Sequence, residues 1–181
     1  MNKNDMNLVV VQCTDNHGNG RVAAYCLIAR ETKENLQATL QICKDRNPDA
    51  ASKVKTVICD KDYKEIGGIR NVLPNAEVYL CHVHVMRVFK KEIASRKEKN
   101  GKKMIKVLLK MCKSVNREQF DRDYQELKRV SSVPFMKYFD DNWKEIDEAW
   151  VLYVRYSSLT LGIHTTNTVE SHNGKNQSTD K

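Results

Sequence analysis

At 181 residues, with 40% hydrophobic and 30% charged side chains, the chain is sized for one globular domain with a buried core. It has no run of about 20 apolar residues to cross a membrane, and the apolar stretch at residues 8–11 is too short for the core of a secretion signal. The formal net charge of +8 is concentrated in residues 87–113, where eleven Lys or Arg face only Glu92 and Glu98, a local +9 that leaves the remainder at −1.

A basic block inside a near-neutral body is the footprint of a polyanion partner; the plainer alternative is a solvated helix face. Cys13, Cys26, Cys43, Cys59, Cys81 and Cys112 lie mostly within apolar runs and lack the tight spacing of a disulfide framework. They read as reduced, buried thiols of an intracellular protein.

Residues 7–13 are β-branched and predict a strand, residues 14–20 are dense in turn formers, and residues 21–29 resume an apolar run. This predicts a hairpin whose two strands, apolar nearly throughout, need cover on both faces. Over residues 32–46, Leu36, Leu40 and Cys43 recur at helical spacing, widened by Ala38 and Ile42, and Asn47 and Pro48 stop the helix. A strand at 53–59, a helix at 63–72 weakened by Gly67 and Gly68, a turn at Pro74 and a strand at 76–80 follow. The order is that of a hairpin feeding alternating α/β units.

After Cys81 the pattern becomes helical. Val85, Val88, Phe89 and Ile93 share one face; Met104, Leu108, Met111 and Val115 share another, with Lys102, Lys103, Lys106, Lys110 and Lys113 projecting elsewhere. Phe120, Tyr124 and Leu127 mark a third helix. Phe135, Tyr138, Phe139, Trp143, Trp150, Tyr153 and Tyr156 predict an aromatic core, with a base-stacking platform as the alternative.

Two acids stand out. Asp60 leaves an apolar strand, where a desolvated carboxylate needs a cation or donors to stay charged. It also could cap the next helix, although Asp62 is better placed to do so. Glu170 lies in the polar segment 164–173, where Asn167 and Glu170 fit a capping box that competes with any metal role. Cys81 and His84 have the spacing of half a zinc site, with His82, His164 and His172 as candidate completions. No Ser/His/Asp arrangement, phosphate-binding glycine loop or dinucleotide fingerprint is present.

The strand ending at Asp60, the run from Leu73 to Ala76 that leads into Cys81 and His84, the set Trp143, Trp150, Tyr153 and Arg155, and residues 165–173 carry a resemblance. Together, over about residues 8–173, they resemble the transposase domain of Mutator-like elements (MULE) and the related domain of zinc-finger SWIM-type proteins. The resemblance implies an α/β, ribonuclease H-like mixed sheet with an all-helical insertion. On that basis residues 7–82 form the α/β core, 83–163 the helical insertion, 164–173 the final helix and 174–181 a frayed tail. It implies Asp60 as the second and Glu170 as the third catalytic acid, binding Mg²⁺ or Mn²⁺ as the ancestral cofactor, with Zn²⁺ at Cys81 and His84.

The first, central strand and its Asp are missing from this reading, and Asp15, in the hairpin turn, is no substitute. The chain is therefore expected to be an N-terminally truncated transposase relative without strand-cleavage activity. Its expected partner is DNA, met by Lys102, Lys103, Lys106, Lys110 and Lys113, in the nucleus, with no membrane and no small-molecule cofactor; oligomerisation is left open. The alternative is a non-enzymatic nuclear DNA-binding or protein-interaction module of a domesticated transposase.

Overall fold

The computed structural model describes residues 6–14, 17, 19–60 and 63–155. Contacts group the chain into two compact units that divide between Val78 and Tyr79.

The first unit opens on the hairpin. Asn7–Thr14 (β1) pairs antiparallel with Gly20–Ile28 (β2), from Asn7 opposite Ile28 to Thr14 opposite Gly20. The register shifts between Val11, opposite Ala24, and Gln12, opposite Val22, leaving Ala23 as the extra residue of a bulge. The predicted cover on both faces is not found among the described residues. Leu8, Tyr25 and Leu27 are 50%, 52% and 63% exposed, and β1 and β2 form a two-stranded sheet of their own. An apolar composition states that a strand needs cover without stating what supplies it.

Lys33–Arg46 (α1) begins where the Thr32 hydroxyl accepts the Asn35 amide at 3.2 Å, satisfying one of the helix's open donors. Pro48 stops α1 as its sequence requires, but it also starts a short helix, Pro48–Ser52 (α2), that the sequence reading missed. Proline is well tolerated in a first turn because the amide it lacks would be unbonded there anyway. Thr56–Cys59 (β3), Tyr63–Val72 (α3) and Glu77–Leu80 (β4) follow, and β3 and β4 are neighbours in a second two-stranded sheet.

The glycine pair that weakens α3 on propensity has a packing reason. A Cβ on Gly68 would stand 3.4 Å from the Gln37 amide nitrogen, and one on Gly67 would stand 3.2 Å from Lys33 Cε. The missing side chains let α3 approach the α1 backbone, and packing outweighs a propensity cost of about 1 kcal/mol each. Lys44 Nζ donates to the Val72 carbonyl at 2.8 Å, which satisfies the C-terminal end of α3.

The second unit is helical among the described residues: His82–Ser95 (α4), Gly101–Cys112 (α5), Arg117–Val130 (α6), Val133–Phe139 (α7), a π turn, a 3₁₀ turn and Leu152–Arg155 (α8). Its centre is an aromatic cluster that takes Phe135, Phe139, Trp143 and Trp150 from the predicted set and adds Phe89 and Phe120, while Tyr138 and Tyr153 are half-buried and Tyr156 lies outside the described residues. Phe89, Phe120, Phe135, Phe139, Trp143 and Trp150 are all fully buried. Phe89 lies 4.6 Å from Trp143 and 5.6 Å from Trp150, and the two indoles meet edge to face at 6.0 Å. Each such pair adds about 0.5–1.5 kcal/mol beyond its burial. The indole N–H groups are satisfied, Trp150 Nε1 donating to the Trp143 carbonyl at 2.9 Å and Trp143 Nε1 to the Tyr138 hydroxyl at 3.0 Å.

Candidate metal site and basic face

Asp60 directly follows β3, and Cys81 directly follows β4. Cys81 is also the N-cap of α4, with extended φ and ψ of −63° and 122°. His84 therefore falls at the third helical position. A side chain at the N-cap and one three residues on turn toward each other, as in a capping box. That local geometry places the Cys81 thiol beside the His84 ring. A donor atom of Cys81 and one of His84 lie within 4.8 Å of each other. Cys81 is fully buried, and His84 and Asp60 are half-buried. A thiol and an imidazole so paired are compatible with a metal ion.

His82, a candidate completion, spends its Nε2–H on the Trp150 carbonyl at 2.8 Å. Glu170, His164 and His172 lie outside the described residues, as do Asp15 and Asp62.

The five lysines assigned to a polyanion partner, Lys102, Lys103, Lys106, Lys110 and Lys113, are all exposed on or immediately after α5. The opposite side of the helix is buried through Met104, Val107, Leu108, Met111 and Cys112. The apolar face is anchored and the cationic face is free to solvent, as amphipathic spacing requires. Lys110 is partly neutralised by Glu126 at 3.5 Å.

The sequence marks Arg155 only by its place in a motif. It is 1% exposed. Its Nη2 donates to the Leu80 carbonyl at 2.6 Å and the Ala149 carbonyl at 2.9 Å, and its guanidinium lies 4.9 Å from the centroid of the Tyr79 ring. Burial pushes its pKa down to about 10. An arginine set among aromatic residues near the end of an apolar run is the one signal that could have marked it. In the same unit, burial pushes the Cys112 thiol up to about 12.

The mixed succession of strands and helices in the first unit is consistent with a ribonuclease H-like α/β domain. Residues 1–79 match the family model described as "Zinc finger SWIM domain-containing protein 1/3, RNaseH-like domain", and the match ends where the two units divide. Among curated proteins, the chain is 22% identical over 170 residues to uncharacterized protein ZSWIM9 of Mus musculus, covering 92% of this chain and 38% of that protein. It is 24% identical over 153 residues to uncharacterized protein ZSWIM9 of Homo sapiens, covering 82% of this chain and 24% of that protein. These matches support a SWIM-type ribonuclease H-like family, and the chain spans well under half the length of either relative. Among the described residues, no helix is long and apolar enough to cross a membrane.

Proposed function

We propose that this chain is a domesticated, transposase-like ribonuclease H module that binds zinc through Cys81 and His84 and engages a nucleic-acid backbone through α5 without cutting it. The observation that carries the reading is the pairing of a thiol with an imidazole at the start of α4. Paired Mg²⁺ or Mn²⁺ chemistry calls for hard oxygen donors that clamp the attacking and leaving oxygens of a phosphodiester. A set containing a thiolate and an imidazole favours zinc instead. Ligand atoms in a tetrahedral zinc site with bonds of about 2.0–2.3 Å stand about 3.3–3.7 Å apart, so modest side-chain rotations bring the Cys81 and His84 donors to that distance. When bound, zinc would tie the N-cap of α4 to its first turn.

In this reading Asp60 and Glu170, the second and third acids of the resemblance, do not act in catalysis. MULE ancestry is supported by the motif order from Asp60 to Arg155 and by the SWIM-type match. The exposed lysines of α5 support a phosphate-binding face, and nuclear residence follows from that partner.

Zinc content of the purified full chain, measured by native mass spectrometry, tests the reading together with a cleavage assay. One zinc per chain, lost in Cys81→Ser and in His84→Ala, is the expected result, with no DNA cleavage in Mg²⁺ or Mn²⁺. Chelator-sensitive cleavage abolished by Asp60→Ala would overturn it and restore Asp60 to catalysis.

A further inference from the structure

Arg155 is buried with only part of its hydrogen-bonding capacity used. Two carbonyls accept from Nη2, while Nε and Nη1 have no hydrogen-bond partner among the described residues. Stability alone does not account for such a residue. An apolar side chain of similar length would fill the space without stranding donors, and replacements of this kind are often neutral or stabilising. What distinguishes Arg155 is the carbonyl it holds. Leu80 is the last residue of β4, and its carbonyl belongs to the peptide that carries Cys81. On the other side of Cys81, His82 Nε2 donates to the Trp150 carbonyl at 2.8 Å. The residues flanking Cys81 on both sides are thus tied to one short stretch, residues 149–155.

We infer that Arg155 is a positioning residue for the Cys81–His84 metal-ligand pair. Its bond to the Leu80 carbonyl fixes the peptide from which the Cys81 side chain departs. Through the start of α4 it also fixes the direction of His84, three residues on. The Tyr79 ring beneath the guanidinium limits its sideways movement, and the Ala149 carbonyl shares the same Nη2. A ligand pair preset in this way loses less conformational freedom when a metal binds. The inference rests on the zinc reading above and adds a residue that touches no metal.

Co²⁺ and Zn²⁺ titrations of the full chain test it, with far-ultraviolet circular dichroism as the check on folding. Wild type is expected to give a thiolate-to-cobalt charge-transfer band that Cys81→Ser removes. Arg155→Gln, folded, is expected to bind zinc about 10- to 100-fold more weakly. It should also change the cobalt d–d envelope at saturating metal, a change that a loss of global stability would not produce. Arg155→Lys, which keeps a donor for the Leu80 carbonyl, should recover part of both.

If folded Arg155→Gln shows wild-type affinity and an unchanged envelope, the positioning role is overturned while the metal site stands. If wild type gives no charge-transfer band, the metal site itself falls and the inference with it. Should Arg155→Gln fail to fold, Arg155→Lys decides, because an unchanged affinity and envelope in that variant also overturn the role.

Discussion

Replacing Trp150 with Phe probes the core of the helical unit and its link to the candidate site in one step. Trp150 is fully buried, meets Phe89, Phe120, Phe139 and Trp143 at ring separations of 5.6–6.1 Å, and donates its N–H to the Trp143 carbonyl. Trp150→Phe keeps an aromatic ring but strips that carbonyl of its donor, which costs about 1–3 kcal/mol when the site is dry. The lost ring atoms leave a small void worth about 1–2 kcal/mol more. The total is about 2–5 kcal/mol. For a cooperative unit of roughly this size each kcal/mol shifts the midpoint by about 4–8 °C, so a drop of about 10 °C or more is expected. The chain's two tryptophans are both in this core, so intrinsic fluorescence reports this unit, and Trp143 still reports it in the variant. Leu109→Ala, at a residue 41% exposed, is the control and should change stability by no more than about 0.5 kcal/mol. A drop below about 3 °C in Trp150→Phe would refute the reasoning that this cluster holds the unit together.

Charge reversal at Lys102, Lys103, Lys106 and Lys113 should weaken duplex DNA binding, and the slope of log affinity against log salt should fall by about 0.9 for each lysine that contacts a phosphate; fluorescence anisotropy across a salt series measures both. Cys112 offers a pH effect with a defined sign. Its thiol rises from 9.0 to about 12 in the folded protein, so above pH 9 the unfolded chain loses a proton that the folded chain keeps. Stability is therefore present below pH 9 and is lost at up to about 1.4 kcal/mol per pH unit toward pH 12. Urea midpoints across this range should fall less steeply in Cys112→Ala than in wild type. Lys97 sits just beyond α4 with φ of 52°, a left-handed conformation that costs a side-chain-bearing residue about 1 kcal/mol. Lys97→Gly should raise the thermal midpoint, and a lower midpoint would refute that account.

What was legible in the sequence was what is local. The pairing of Cys81 with His84 follows from three-residue spacing at a helix start, and the amphipathic split of α5 follows from its own period. Four of the six core rings were readable because so many large rings close together in residues 135–156 cannot all be solvated, whereas Phe89 and Phe120 join them from distant helices. What the sequence withheld was non-local or depended on competing uses of one residue. Nothing in the 20 residues between Asp60 and Cys81 states that β3 and β4 are neighbours, since strand pairing is decided by partners distant along the chain. Pro48 reads as a stop and is also a start, so α2 was missed. Gly67 and Gly68 read as weakness because their use is a close approach to α1, visible only once α1 is in place.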